Sequence, residues 1–464
     1  MRQFMVHRPR WQMALAFLVL AFALAMVPVL TVFTGVHAAG ANRSTKPTFA
    51  HFKGLSYALA QSQNGSQPPP PPTDQQCRKQ IGVPCYSPQE IRRAYNIDPV
   101  LNAGYTGKGE SIVIIDSFGS PTIQKDLKIF DAGFGLPDPP SFKEYAPLGK
   151  VKFNPNDNTM VGWAAETTLD VEWSHAVAPD ANIVLMTSPV AETQGDMGMP
   201  EFLYLEQYAL KHHLGNIISQ SWATTENTLF NHPGGRQILK NFETFYQQAD
   251  GQGVTIFGSS GDDGVANPDV NGKIFPFPTV NFPASSPYIT AVGGTNLMAS
   301  IHGQYQSETG WSGSGGGISQ FFPEPAYQQA YLPSSDQQLL NGFRGLPDIA
   351  YNASGDTPVL IYLSFIPGQA GWYLIAGTSE GSPQWAGIIA DGNQWAGRPL
   401  GFINTALYQI GAGKDGATSY HDILKGNNSS HGIQGYNCGP GWDPVTGEGT
   451  PNVFKLLQQL ILHT

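Results

Sequence analysis

Ala376-Gly377-Thr378-Ser379-Glu380-Gly381-Ser382-Pro383 is the stretch whose reading decides the rest of the chain. Gly377 permits a tight turn and Pro383 suits the first turn of a helix, so Ser379 stands where a turn leads into a helix. A serine so placed is either a helix cap or a nucleophile, and the second reading requires a base.

The usual base is a histidine, in a His-Gly-Thr setting, and none of the 11 histidines stands in one. Carboxylates are the alternative. In GWAAETTLDVEW, residues 162–173, Glu166 and Asp170 are four residues apart, which puts both on one face of a helix. Such a pair is ordinarily a solvated face. Here Trp163, Ala164, Ala165, Leu169, Val171 and Trp173 surround it, so the helix has little polar face to offer and the two acids are read as an acid/base pair. A third element, FGSSGDDG at 257–264, follows the strand-like run Val254-Thr255-Ile256-Phe257 and carries Asp262 in a glycine-rich turn, where α/β sheets hold their sites. His175, near the end of the same helix as Glu166, is the alternative base and reads as a cap or a surface group.

Taken together these segments resemble the sedolisin family, the serine-carboxyl peptidases, which keep a subtilisin-like fold and use glutamate where subtilisin uses histidine. The resemblance implies Ser379 as nucleophile, Glu166 as its general base, Asp170 as the partner that orients Glu166, and Asp262 as donor to the oxyanion. The last role needs a neutral carboxyl, so activity is expected in acid. Further similar blocks run from 86 to 453: YSPQEIRRAYNI, GYTGKGESIVIID, SGSGGGISQFFPEPAYQ and RGLPDIAYNA, with NIISQSWA implying Ser221 and Trp222 at the substrate cleft. Four positions depart from the family pattern: Ala376 where serine is common, Ala223 where glycine is, Asp263 where serine is, and Asp116 where some members have glutamate. None removes a catalytic side chain.

The C-terminal part places His421-Asp422-Ile423 before GYNCGPGWDPVTGEGTPN at 435–452. Calcium takes six to eight oxygen ligands, mixing carboxylates with carbonyls aimed inward by flexible loops. On the residues alone, Asp422 and Asp443 serve as well for capping turns. The resemblance implies a Ca2+ site made of both carboxylates and the carbonyls of Ile423, Gly439 and Gly441.

Strand-like runs at Ser111–Ile115, Asn182–Met186, Asn216–Ser219, Val254–Phe257 and Tyr288–Val292 alternate with helical patterns at Gly162–His175, Glu201–His212, Arg236–Ala249 and Pro383–Asn393. That alternation predicts a single large α/β domain over 86–464, a doubly wound parallel sheet covered on both faces. Residues 1–38 read as a signal peptide: Arg2, His7, Arg8 and Arg10, an apolar run from Met13 to Phe33, then Val36-His37-Ala38. Left uncleaved, the run is long enough to anchor the chain in a membrane. Residues 39–85 read as a polar, proline-rich linker with Pro68 to Pro72 unbroken, and contain no recognisable folded prosegment. Export permits a disulfide between Cys77 and Cys85, with Cys438 as a leftover thiol or, alternatively, as the partner of either.

Only 13% of residues are charged and the formal net charge is -10, which excludes nucleic acid as a partner class and leaves few ion pairs to lose in acid. The expectation is a secreted, monomeric endopeptidase acting on proteins or peptides. The rival readings are a catalytically silent extracellular relative that binds peptide or carbohydrate, and a serine hydrolase acting on non-peptide esters.

Overall fold

The computed structural model describes residues 68–192 and 195–464. The segment read as a signal peptide, with its possible membrane anchor, and linker residues 39–67 lie outside them. Among the described residues no helix is long and apolar enough to cross a membrane.

The sheet is built from strands β1 (Ser111–Ser117), β2 (Phe142–Tyr145), β3 (Asn182–Ser188), β4 (Ile217–Gln220), β5 (Thr255–Ser259), β6 (Thr290–Ala299), β7 (Tyr305–Gly310) and β8 (Ile349–Asn352). Their order is β8-β6-β5-β4-β1-β3-β2, all parallel, with β7 antiparallel against β6. Register follows the apolar runs: Ile112 faces Ile183 on one side and Ile217 on the other. Strand β1 shows why both faces are covered. Its residues alternate between two cores, Ile112 and Ile114 in one and Val113 and Ile115 in the other, and all four are fully buried.

Helices α1 (Ile123–Phe134), α2 (Asn158–Val177), α3 (Met199–Lys211), α4 (Gly235–Asp250) and α5 (Gly381–Ala396) supply the layers. Trp173 and Leu169 of α2 pack with Trp385 and Ile389 of α5 over the Ile112 face, while Phe202 of α3 and Leu239 and Phe242 of α4 cover the Val113 face. From β1 the chain runs to β3 and β2 on one side and to β4, β5 and β6 on the other. The sheet therefore has its switch point at β1 and β4, and the carboxyl ends of those strands form the crevice where such sheets place sites.

A hairpin, β9 (Val359–Leu363) with β10 (Gly371–Ile375), delivers the chain to Ser379. It is held from two sides. Glu172 of α2 accepts the Tyr362 N–H at 3.0 Å, and Asp126 of α1 accepts the Ser364 N–H at 2.9 Å.

The stretch read as a linker carries structure at its C-terminal end. Asp74–Ile81 is a helix capped by Thr73, with Gln76 completing the box, and Cys77 and Cys85 form the disulfide. Trp372 donates to the Pro69 carbonyl at 2.8 Å, and Tyr86 pairs with the hairpin through Pro358 and Leu360. Composition reads polyproline as an extended spacer; here apolar ring surface packs on the domain, Pro71 lying against Gly133. Cys438 is a half-buried free thiol.

The RGLPDIAYNA block has a packing role. Arg344 bonds Asp348 through both guanidinium nitrogens, at 2.9 and 2.6 Å, and both side chains are fully buried. Asp348 also accepts from the Ala291 N–H and the Tyr408 hydroxyl, which satisfies the buried carboxylate and ties β8 to β6.

Candidate active site

Ser379 lies in a single 3₁₀ turn, Thr378–Glu380, between β10 and α5. Gly377, just before it, has φ +142°, a conformation that a side chain would strain. The Thr378 N–H and hydroxyl both donate to Asp262 Oδ1, at 2.7 and 2.9 Å, and the Gly261 N–H donates to Thr378 Oγ1 at 3.0 Å. The turn after β5 and the serine turn are thus one bonded unit. Behind them lies the SGSGGG run, where the Gly315 N–H donates to Gly261 O at 2.8 Å and a Cβ on Gly315 would come within 2.1 Å of Ser260 O. Only glycine allows that approach, which gives a block without assigned chemistry the task of shaping the Asp262 turn.

Helix α2 packs directly against the serine turn. It starts at its Asp157 cap, whose carboxylate accepts from the Thr159 and Met160 N–H groups, and every residue from Trp163 to Val177 is buried. Glu166 and Asp170 therefore sit in the interior on one helix face, 1% and 0% exposed. Ser221, at the carboxyl end of β4, donates to Asp170 Oδ1 at 3.0 Å and reaches the Ser379 carbonyl oxygen at 3.5 Å. Asp116, at the end of β1, completes a group of three acids. Burial pushes the Asp116 carboxyl up to about 7, the Thr167 hydroxyl opposing. Asp170 is raised well above the carboxylate range by burial first and then by the charges of Asp116 and Glu166, with Ser221 opposing. Three buried acids at such spacing hold fewer than three charges, so protons remain in the group at pH values where exposed carboxyls have lost theirs.

The structure therefore brings Ser379, Asp262, Ser221 and the Glu166–Asp170 helix to one place. Trp222 is placed differently. Its ring stacks on Phe202 at 4.6 Å and is 1% exposed, so any role of Trp222 at the cleft rests on its backbone. His175, expected as a cap or surface group, is fully buried, with Nε2 at 2.8 Å from Pro137 O and 3.2 Å from Asp131 Oδ1. The helix end that carries it is covered by α1, so the imidazole is committed to a structural pair. Sequence reasoning did not find the joining role of Thr378, nor Glu380, which is fully buried beside the nucleophile position. Nothing local marks either residue, since their partners come from distant strands and turns.

The residues expected to hold calcium share one loop. The Gly441 N–H donates to both oxygens of Asp422 at 3.2 Å, and the Gly439 N–H donates to Asp443 Oδ2 at 3.1 Å. Asp443 also accepts from the Val445 and Thr446 N–H groups and the Thr446 hydroxyl, and burial pushes it up to about 6. Glu448 lies close by, pushed up to about 8 by burial and then by the charges of Asp422, Asp348, Asp336 and Asp443. Among the described residues no lysine or arginine pairs with Asp422, Asp443 or Glu448. A surplus of hard oxygen with no cation fits a divalent ion, with Asp422 the more open carboxylate and Asp443 already engaged by four donors. Among the described residues no three His, Cys, Asp or Glu side chains form a metal-holding group, so an ion here would depend on carbonyls.

Comparison with known proteins finds relatives over most of the chain. Kumamolisin of Bacillus sp. (strain MN-32) is 32% identical over 399 residues, covering 83% of this chain and 66% of kumamolisin. Tripeptidyl-peptidase 1 of Mus musculus is 28% identical over 421 residues, covering 85% of this chain and 68% of that protein. The Dictyostelium discoideum tripeptidyl-peptidase 1 is 30% identical, and 63% of it is covered. The chain thus spans about two thirds of the length of these relatives. Among solved structures, Pseudomonas sedolisin, a serine-carboxyl proteinase complexed with two molecules of pseudo-iodotyrostatin, superposes with a TM-score of 0.67 at 27% identity, covering 81% of this chain and 98% of that one. No protein-family model matches the chain.

Proposed function

The chain belongs to the sedolisin family, and from that premise we propose that it is a serine-carboxyl endopeptidase that cleaves peptide bonds in acid through an acyl-enzyme on Ser379. The observation that carries this reading is the meeting of Asp262, Thr378, Ser379, Ser221 and Asp170 in one hydrogen-bonded unit against the Glu166 helix. Glu166 takes the proton of the Ser379 hydroxyl as its oxygen adds to the scissile carbonyl. Asp170 keeps Glu166 oriented, and Ser221 fixes Asp170. Asp262, neutral, donates a hydrogen bond to the oxyanion; with Oδ1 accepting from Thr378, that proton belongs on Oδ2. The proton held by Glu166 then passes to the leaving amine. Water, deprotonated by Glu166 in turn, releases the acid product and restores Ser379.

Assay of the purified protein on a denatured protein substrate across pH tests the proposal, with a maximum expected in acid and loss toward neutrality. A maximum at pH 8 overturns it. The rival readings, a silent binding relative and an esterase, predict no peptide cleavage at any pH.

Stability should follow the same direction. Asp116 and Glu226, both buried, are raised to about 7, chiefly by burial. A carboxyl with a raised folded-state pKa holds a proton that the unfolded chain releases. Its contribution is complete below the unfolded value of about 4 and is lost as pH rises through about 7. The melting temperature is therefore expected to be higher at pH 4.5 than at pH 7.5, as differential scanning calorimetry would read.

We extend the proposal to calcium, held by Asp422, Asp443 and the carbonyls of Ile423, Gly439 and Gly441, where it would fix the C-terminal loops and take no part in the reaction. Chelation is expected to lower the melting temperature by roughly 5 °C. Asp443→Ala should remove the response to added calcium. A melting temperature indifferent to chelator leaves both aspartates as turn caps. Secretion completes the proposal, supported by the chemistry of residues 1–38 and by the Cys77–Cys85 disulfide, and we propose a monomer.

A further inference from the structure

Glu380 follows the proposed nucleophile directly and is fully buried. Its Oε1 accepts from Asn352 Nδ2 at 2.9 Å, while its Oε2 is buried with no hydrogen-bond partner. One turn later on the same helix face, the Gln384 amide nitrogen bonds the Glu380 backbone carbonyl at 3.0 Å, and Gln384 Oε1 is likewise buried without a donor. Two neighbouring side chains thus each have an acceptor oxygen that lacks a proton to accept. An ionised Glu380 would leave a buried charge with a single donor, a costly arrangement. One proton on Oε2 removes that buried charge.

Asn352 is a rigid anchor for this contact. Its amide accepts from the Leu297 N–H and the Thr357 hydroxyl, donates to the Thr357 carbonyl, and its own N–H bonds the Tyr95 hydroxyl at 2.9 Å. Tyr95 in turn donates to Glu308 at 2.7 Å, and Glu308 also accepts from Thr295 and Thr450. The titratable groups whose charges couple to Glu380 are Tyr351 and Tyr95, and among the described residues no lysine or arginine forms an ion pair with it. Burial raises Glu380 well above the carboxylate range, more than Asn352 and Gln384 lower it.

We infer that Glu380 is a positioning residue for Ser379, acting as a neutral acid that clamps the serine turn to Asn352 at the end of β8 while Asp262 holds the same turn from the other side. This rests on Ser379 being the nucleophile, and Ser379→Ala tests that premise separately: an active Ser379→Ala enzyme sinks the premise whatever Glu380 does. The clamp predicts that Glu380→Gln, whose amide oxygen can keep the Asn352 contact without titrating, keeps kcat on a peptide substrate at pH 4 within about threefold. Glu380→Ala should lower kcat about tenfold or more with KM little changed, because the turn is misplaced while the cleft is intact. The kcat-against-KM split reads the positioning, and the titration is read separately. The half-life to thermal inactivation at pH 7 should be at least tenfold longer for Glu380→Gln than for the unaltered protein, with the two equal at pH 4, since only the carboxyl must hold a proton to stay in place. Equal half-lives at both pH values, or a Glu380→Gln kcat as low as that of Glu380→Ala, overturn the neutral clamp. An undiminished kcat in Glu380→Ala overturns the positioning role. If the alanine variant does not fold, the glutamine comparison still decides.

Discussion

Ser379→Ala is expected to lower kcat on a denatured protein by about 10⁶-fold, with folding and melting temperature essentially unchanged. The turn that carries the residue is held by its neighbours, Thr378 on Asp262 and Glu380 on Asn352, and neither contact uses the serine hydroxyl. Losing that hydroxyl therefore removes the attacking atom and little else. Glu166→Ala is expected to fall as far, because Glu166 is the proposed acceptor of the same proton and the histidine once in contention, His175, is bound to Asp131 and Pro137. The double variant should be no slower than either single one, since two groups serving one proton transfer act as a unit. Steady-state kinetics on all three variants checks this. An enzyme retaining a tenth of its activity without Ser379 removes the acyl-enzyme mechanism.

The fold was legible where burial imposes a simple pattern. Apolar runs such as Ser111–Ile115 are strands because both faces of the sheet are covered, and the observed β1 extends that run by two residues, to Ser117. The Gly162–His175 pattern lies within α2, and its lack of a polar face corresponds to a helix buried from Trp163 to its end. Closeness in sequence favoured pairing Cys77 with Cys85 but left Cys438 open as a partner of either, and the structure pairs Cys77 with Cys85, eight positions apart. What stayed hidden depends on contacts across long separations. Glu380 meets Asn352 at a separation of 28 residues, and Asp116 meets Asp170 only because β1 passes beneath α2. A buried acid in an apolar stretch reads locally as a surface residue out of place. The helix at Asp74–Ile81 was hidden for a related reason: a polar composition beside polyproline signals a spacer, whereas the ordering comes from the disulfide and from Trp372 holding Pro69.

Asp262→Ala is expected to lower kcat by about 10²–10³-fold with KM little changed, the loss typical of one oxyanion donor. The size of the loss matters. A residue that only shaped the turn would cost about the tenfold in kcat expected of Glu380→Ala, whereas a donor acting on charge that develops during reaction costs about 10²–10³-fold. The structure shows the first task, Oδ1 anchoring Thr378, and the proposed donation to the oxyanion would use a proton on the other oxygen. Asp262→Asn separates the two tasks. Its carbonyl oxygen can accept from Thr378 and its amide can donate without titrating, so it should lose less than the alanine variant, and its pH profile should lose the part of the neutral decline that belongs to the carboxyl. What then remains of the decline reports on the buried group of Asp116, Glu166 and Asp170. If Asp262→Asn shows the unaltered neutral decline, or if Asp262→Ala loses stability with no more than about a tenfold fall in kcat, Asp262 is a scaffold for the serine turn and the oxyanion needs another donor.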